Sequence, residues 1–270
     1  MKKFWYLLKL AWLNLGFYGG LVFLTAVSMV FISLPAFCYL LYIKGYDKGT
    51  ATRRLIWYYG RGWALLLNAF VPVRLENCDR PLPKPCIITA NHQSFFDTYC
   101  FGFMQEPDVV FAVRAWPFRM PFYGLYMRLA GYLNTESADW QELAGKARAI
   151  LDAGACIGIF PEGHRSPNGE IQRFHSGAFY LSVMTGAPIL PVCLDGTGVF
   201  LRRGGFLLRP ATISIRVLDP IYPDQFAVFG EEAPLQLRRA VKTTMQQSLK
   251  VLRSMHPLGA IFFNTTKELS

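Results

Sequence analysis

The stretch Asn91-His92-Gln93-Ser94-Phe95-Phe96-Asp97 sets an imidazole and a carboxylate five residues apart, directly after the apolar run Cys86 to Ala90. An imidazole takes a hydroxyl proton near neutral pH when a carboxylate fixes its tautomer. On a regular helix, residues at this separation lie about 140° apart, so the spacing predicts His92 on the turn before a helix, with Asp97 reaching back. Taken alone, the pair suits a hydrogen bond that holds a loop as well as it suits catalysis. A second stretch, Phe160-Pro161-Glu162-Gly163-His164-Arg165-Ser166, follows the apolar run Cys156 to Phe160. Arg165 offers a planar fork for an anion, and Gly163 lets the backbone approach a ligand closely. Alone, this too reads as an ordinary turn with a solvated arginine. Two such turns that each end a strand would meet at the sheet edge where ligand sites collect.

Other chemistries are narrowed by what surrounds the polar residues. Ser94, Ser166 and Ser176 sit in no G-x-S-x-G elbow, so none is expected as a nucleophile. The expected chemistry is direct attack by a hydroxyl that His92 deprotonates, with backbone N–H groups near the strand ends as oxyanion donors. The six cysteines form no C-x-x-C pair and the four histidines show no metal spacing, so no metal, no disulfide framework and no cofactor is expected. His175 and His256 are read as solvated or structural.

The elements that must position these residues follow from hydropathy. Short apolar runs at Val71 to Glu76, Cys86 to Ala90, Val109 to Val113, Cys156 to Phe160, Ile189 to Leu194 and Ile213 to Leu218 predict strands. Trp140 to Ala153, Ala178 to Thr185 and Leu235 to Arg253 predict helices, the last with Leu237, Val241, Met245, Leu249 and Leu252 at helical spacing. The alternation predicts an α/β fold with a mixed sheet flanked by helices, and the chain of 270 residues accommodates one such domain plus an appendage. That appendage is apolar: no charge occurs from Leu10 to Ile43. As one helix this stretch would measure roughly 50 Å, longer than one crossing needs. Gly16, Gly19 and Gly20 are expected to break it into a helical hairpin, with a single tilted span as the alternative. Lys2, Lys3 and Lys9 before it and Lys44, Lys48, Arg53 and Arg54 after it favour a return to one face, the cytoplasmic one. Residues 1–60 are therefore expected to form a membrane anchor and a basic, aromatic connector (Arg53 to Trp63), and residues 61–270 the α/β domain. The Asn264-Thr265-Thr266 triplet matches a glycosylation acceptor but is expected to be inert on that side.

Together, N-H-x-x-x-x-D, then F-P-E-G-x-R-S about seventy residues on, then Pro188-Ile189-Leu190-Pro191-Val192, resemble the lysophosphatidate acyltransferases over roughly residues 70 to 220. The resemblance implies an α/β acyltransferase fold and transfer from acyl-CoA or acyl-carrier protein to 1-acylglycerol-3-phosphate. It implies His92 as base, Asp97 as its orienter, and Glu162, Gly163 and Arg165 as part of the acceptor site. Arg114 matches the basic residue before the family's second block. Two positions depart from the family. Ser137 stands where relatives carry a phosphate-binding Arg, which leaves a lyso-aminolipid or other lysolipid acceptor as an alternative. His164 replaces the usual Thr and is read as a surface variant. A His/Asp lipid hydrolase is a further alternative. The expected partners are membrane lipids, a lysophospholipid acceptor and a thioester donor. The net charge of +10 is matched to anionic lipid rather than nucleic acid, because the arginines are dispersed among apolar segments and the hydrophobic fraction reaches 52%.

Overall fold

The computed structural model describes residues 2–121, 123–136 and 139–255. Ser137, His256 and the Asn264-Thr265-Thr266 triplet lie outside the described residues. The chain opens with α1 (Lys2–Val27), widens to a π-helix at Ser28–Ile32, continues as α2 (Ser33–Cys38), and widens again at Tyr39–Ile43. Pro35 has no N–H to return to the preceding turn, and the helix passes it by widening on both sides. Residues Lys3–Ile43 form a helix of 41 residues long and apolar enough to cross a membrane.

Gly16, Gly19 and Gly20 do not break this helix, contrary to expectation; all three lie inside α1. The chain instead reverses near Gly45, and Asp47 caps α3 (Lys48–Phe70) by accepting from the N–H groups of Gly49 and Thr50 at 2.8 and 3.1 Å. Arg53 to Trp63, expected as a connector, lie within α3, which also runs unbroken across residues 60–61. α3 packs back along α1. A Cβ on Gly16 would fall 2.6 Å from the Phe70 ring and one on Gly20 2.7 Å from the Leu66 side chain, so these glycines make room for side chains of α3. A glycine inside a helix costs about 1 kcal/mol relative to alanine, and close helix packing offsets that.

Among the described residues seven strands follow: β1 (Val73–Glu76), β2 (Ile87–Ala90), β3 (Val109–Val113), β4 (Leu133–Asn134), β5 (Cys156–Ile159), β6 (Ile189–Asp195) and β7 (Ile213–Val217). Their order is β1-β7-β6-β2-β5-β3-β4, parallel throughout except at β6–β7. The helices after α3 are α4 (Asp97–Cys100), α5 (Tyr123–Leu129), α6 (Trp140–Asp152), α7 (Gly177–Thr185), α8 (Thr197–Phe200) and α9 (Ala233–Met255). β4, two residues long, is the strand that hydropathy did not announce.

Both faces of the sheet are covered, which is why its strands read as unbroken apolar runs. In β2, Ile88 and Ala90 join the core shared with α1, α3 and α4, whereas Ile87 joins the core shared with α6, α7 and α9. The fold is thus three layers, helix on sheet on helix. On α9, Leu237, Val241, Met245, Leu249 and Leu252 are buried. Each such side chain contributes about 1.5–3 kcal/mol when fully removed from water, enough to hold a long surface helix down by one face.

Candidate active site

The carboxyl ends of β2, β5 and β6 converge on one edge, because β2 lies parallel between the other two, with Thr89 opposite Ile159 on one side and Pro191 on the other. Each strand then delivers a polar turn. The Asn91 side chain extends the β2–β6 ladder past Ala90: its amide donates to the carbonyl of Leu194 at 2.8 Å and its oxygen accepts the N–H of Leu194 at 2.7 Å. That clamp fixes where His92 leaves the sheet. Asp97 opens α4, so His92 precedes the helix and the carboxylate reaches back, as the spacing predicts.

The Asp97 carboxylate is fully buried and takes four hydrogen bonds. One oxygen accepts from His92 Nδ1 at 2.8 Å and from the N–H groups of Gln93 and Ser94 at 2.5 and 2.7 Å. The other accepts from the Thr197 hydroxyl at 2.5 Å. An ionised carboxylate only accepts, so His92 carries its proton on Nδ1 and presents the Nε2 lone pair outward. The imidazole also stacks on Phe160, with ring centroids 4.2 Å apart and planes 21° from parallel. Two constraints, one in the ring plane and one across it, therefore hold an imidazole of which 18% of the side chain remains accessible.

Glu162 enters from the end of β5, but as a brace. Its two oxygens accept the N–H groups of His92 at 2.8 Å and Gln172 at 2.9 Å, tying the β2 and β5 turns together. Burial pushes its carboxyl above the usual carboxylate range, against the lowering effect of those two N–H donors. A further backbone bond, Ser166 N–H to His92 C=O at 2.7 Å, closes the same junction. Gly163 has φ +69°, and a Cβ there would sit 3.2 Å from the His175 ring, so the turn needs glycine for its backbone angle and for that close approach. His175, expected to be solvated or structural, thus walls the Gly163 turn. Arg165 is half-buried in the same turn, with its carbonyl accepting from Arg203 at 3.2 Å. His164 is exposed beside it.

Arg114 does not join this group as an open anion site. It leaves the carboxyl end of β3 exposed and donates to Glu136 at 2.6 Å, while the other Glu136 oxygen accepts the Ala115 N–H at 3.0 Å. The expected oxyanion donors are occupied in part: the N–H groups of Gln93 and Ser94 serve Asp97, and that of Gly163 serves the Phe160 carbonyl. The serines are engaged as well, Ser94 with the Leu201 carbonyl at 3.1 Å and Ser166 with the Glu170 carbonyl at 2.7 Å. Thr197 belongs to none of the motifs that the sequence singles out. Its position just after the β6 run, behind Asp195 and Gly196, was the available signal. Gly196 takes φ +86°, and any Cβ there would lie 2.0 Å from the Thr212 carbonyl oxygen, so only glycine lets the chain turn Thr197 toward Asp97.

Residues 73–195 match the Acyltransferase family, a span that holds every turn described above except the Thr197 end of the β6 turn. A 1-acyl-sn-glycerol-3-phosphate acyltransferase of Chlamydomonas reinhardtii is 31% identical over 209 residues, covering 73% of this chain and 61% of that protein. The enzyme of the same name from Pseudomonas aeruginosa is 28% identical over 162 residues, covering 58% of this chain and 62% of its own length. The chain spans 44%, 61% and 59% of three such curated relatives, from Brassica napus, Chlamydomonas reinhardtii and Limnanthes douglasii. The crystal structure of the 1-acyl-sn-glycerophosphate (LPA) acyltransferase PlsC from Thermotoga maritima superposes with a TM-score of 0.70 at 25% identity, over 94% of this chain and 98% of that one. Sequence match and fold agree over the strands that carry His92, Asp97 and Glu162: residues 73–195 form an Acyltransferase-family domain, similar to that of the 1-acyl-sn-glycerol-3-phosphate acyltransferases.

Proposed function

We propose that this protein transfers a fatty acyl group from acyl-CoA or acyl-carrier protein to the free hydroxyl of 1-acylglycerol-3-phosphate, forming phosphatidic acid. The observation that carries the reading is the His92–Asp97 pair, with Nδ1 spent on a buried carboxylate and Nε2 left as the base. The acceptor hydroxyl gives its proton to Nε2 as its oxygen attacks the thioester carbonyl. The tetrahedral intermediate collapses by breaking the carbon–sulfur bond, and the leaving thiolate takes the proton back from Nε2. The imidazolium formed in between is stabilised by the buried Asp97 carboxylate, a charge-assisted pair. Arg165, in the turn braced by Glu162 and shaped by Gly163, is the cation assigned to the acceptor phosphate.

The helix Lys3–Ile43 supports a membrane location, and the basic flanks support the cytoplasmic face as the side of catalysis. A second reading, acceptance of a lysolipid without a terminal phosphate, is favoured by Ser137 at the family's Arg position and by the engagement of Arg114 with Glu136. Membranes carrying the protein, assayed with both donor types against lysophosphatidate, lysophosphatidylethanolamine and a lyso-aminolipid, separate the two. Preference for lysophosphatidate, abolished by His92→Ala in a folded protein, is the expected result. Unchanged turnover in that variant would refute the mechanism, and free fatty acid released without an acceptor would point to hydrolysis.

A further inference from the structure

The segment between α8 and β7 contains Leu201-Arg202-Arg203-Gly204-Gly205-Phe206-Leu207-Leu208-Arg209. Phe206 is 87% exposed and Leu207 54%, in a loop whose glycines give it no packing of its own. Such a pair at a loop tip is unfavourable in water and is a feature of surfaces that meet an apolar partner. The loop is not loose, however. Leu208 is buried, and the Asn14 side chain takes both its backbone groups, accepting the N–H at 2.8 Å and donating to the C=O at 3.0 Å. The Tyr18 hydroxyl donates to the Phe206 carbonyl. Asn14 and Tyr18 lie on α1, whose outward face carries the exposed Trp12, Leu15, Val22 and Phe23.

The apolar tip therefore continues the exposed face of the apolar helix, and its charges suit one occupant. No acidic residue occurs between Asp195 and Asp219, while Arg202 and Arg203 are both exposed beside the tip. Arginines flanking bulky apolar residues match the headgroup layer and acyl region of an anionic bilayer in that order. We propose that this loop is a second lipid-surface contact, with Phe206 and Leu207 inserted beside α1 and Arg202 and Arg203 among anionic headgroups. The proposal rests on the reading of α1 as a membrane helix. It also gives the loop a task, since Arg203 donates to the Arg165 carbonyl and so links the immersed tip to the acceptor turn.

The test uses the full chain in vesicles of phosphatidylethanolamine and phosphatidylglycerol with brominated acyl chains. Cys38 is half-buried and the other five cysteines are buried, so a Cys38→Ser background accepts a single label. An environment-sensitive NBD group is placed on Phe206→Cys, on Val22→Cys to report the helix, and on Gln246→Cys as a solvent control. The 206 and 22 labels are expected to shift to the blue and be quenched by bromine, and the 246 label to do neither. A quenched 22 label with a water-like 206 label overturns the loop contact while leaving the helix reading intact. Two water-like labels overturn both. In parallel, Phe206→Ser with Leu207→Ser is expected to lower turnover of vesicle-borne lysolipid but not of a water-soluble short-chain acceptor; equal turnover of both acceptors to the parent protein speaks against the contact.

Discussion

Replacing Asp97 by Asn removes a charge and almost no volume from a fully buried side chain, so the two roles of this residue can be separated. Three of its four hydrogen bonds come from the backbone N–H groups of Gln93 and Ser94 and from the Thr197 hydroxyl. An Asn oxygen still accepts the two N–H groups, and its amide faces a hydroxyl that can rotate to accept, so the fold should survive. What is lost is the negative charge opposite the imidazolium. General base catalysis is worth about 10²–10⁴ in rate, and most of that depends on stabilising the protonated base. The expected loss in kcat/KM is therefore about a thousandfold, or about 4 kcal/mol in the barrier. Asp97→Ala is different: it strands two buried N–H donors that cannot rotate, at about 1–3 kcal/mol each. Against a stability of about 5–15 kcal/mol, this should lower the melting temperature by on the order of 10 °C. Acyl-transfer rates and thermal melts on both variants check the pair of predictions. A folded Asp97→Asn protein retaining more than about a tenth of the parent kcat/KM would refute the role assigned to the charge.

Thr197→Val keeps the shape and deletes the fourth hydrogen bond to Asp97; we expect roughly a tenfold loss in kcat, recovered by Thr197→Ser, and a Val variant at full rate would remove Thr197 from the site. Glu162 bears on pH dependence. Its folded-state pKa is raised, first by burial, so its contribution to stability is complete below its unfolded value of about 4.5 and is lost as pH rises through the higher folded value. The melting temperature of the parent minus that of Glu162→Gln should accordingly fall from about pH 4 toward neutrality, and a value that rises instead would contradict the assigned burial.

Much of the site was legible because its pieces are local. His92 and Asp97 lie within one turn and each polar turn follows an apolar run, and a parallel sheet buried on both faces writes such runs directly into the sequence. The contact between Thr197 and Asp97 spans 100 residues and depends on β6 lying beside β2, which no local pattern encodes. β4 holds two residues, too few to show any period. The glycines of α1 misled for a related reason. Glycine weakens an isolated helix in water, but here Phe70 and Leu66 of α3 occupy the space that side chains would fill. α3 itself was obscured by its basic and aromatic residues, although Ala51, Leu55, Trp63 and Leu67 lie on its buried face. Arg114 follows the apolar run Val109 to Val113, yet its partner Glu136 comes from the far side of β4, beyond what spacing reveals.

Phe17 gives the apolar N-terminal helix a second meaning. Its ring is fully buried and lies 5.5 Å, centroid to centroid, from both Phe96 and Phe200, the neighbour of Asp97 and the last residue of the helix that Thr197 begins. The segment is thus no detachable leash. A chimera carrying a generic hydrophobic span would leave a phenyl-sized hole beside Phe96 and Phe200, next to Asp97 and the Thr197 helix, so an exchange has to carry Phe17 with it. The apolar helix and the sheet-edge turns are constrained to drift together, and removing that helix means redesigning the core beside Asp97 rather than trimming an end.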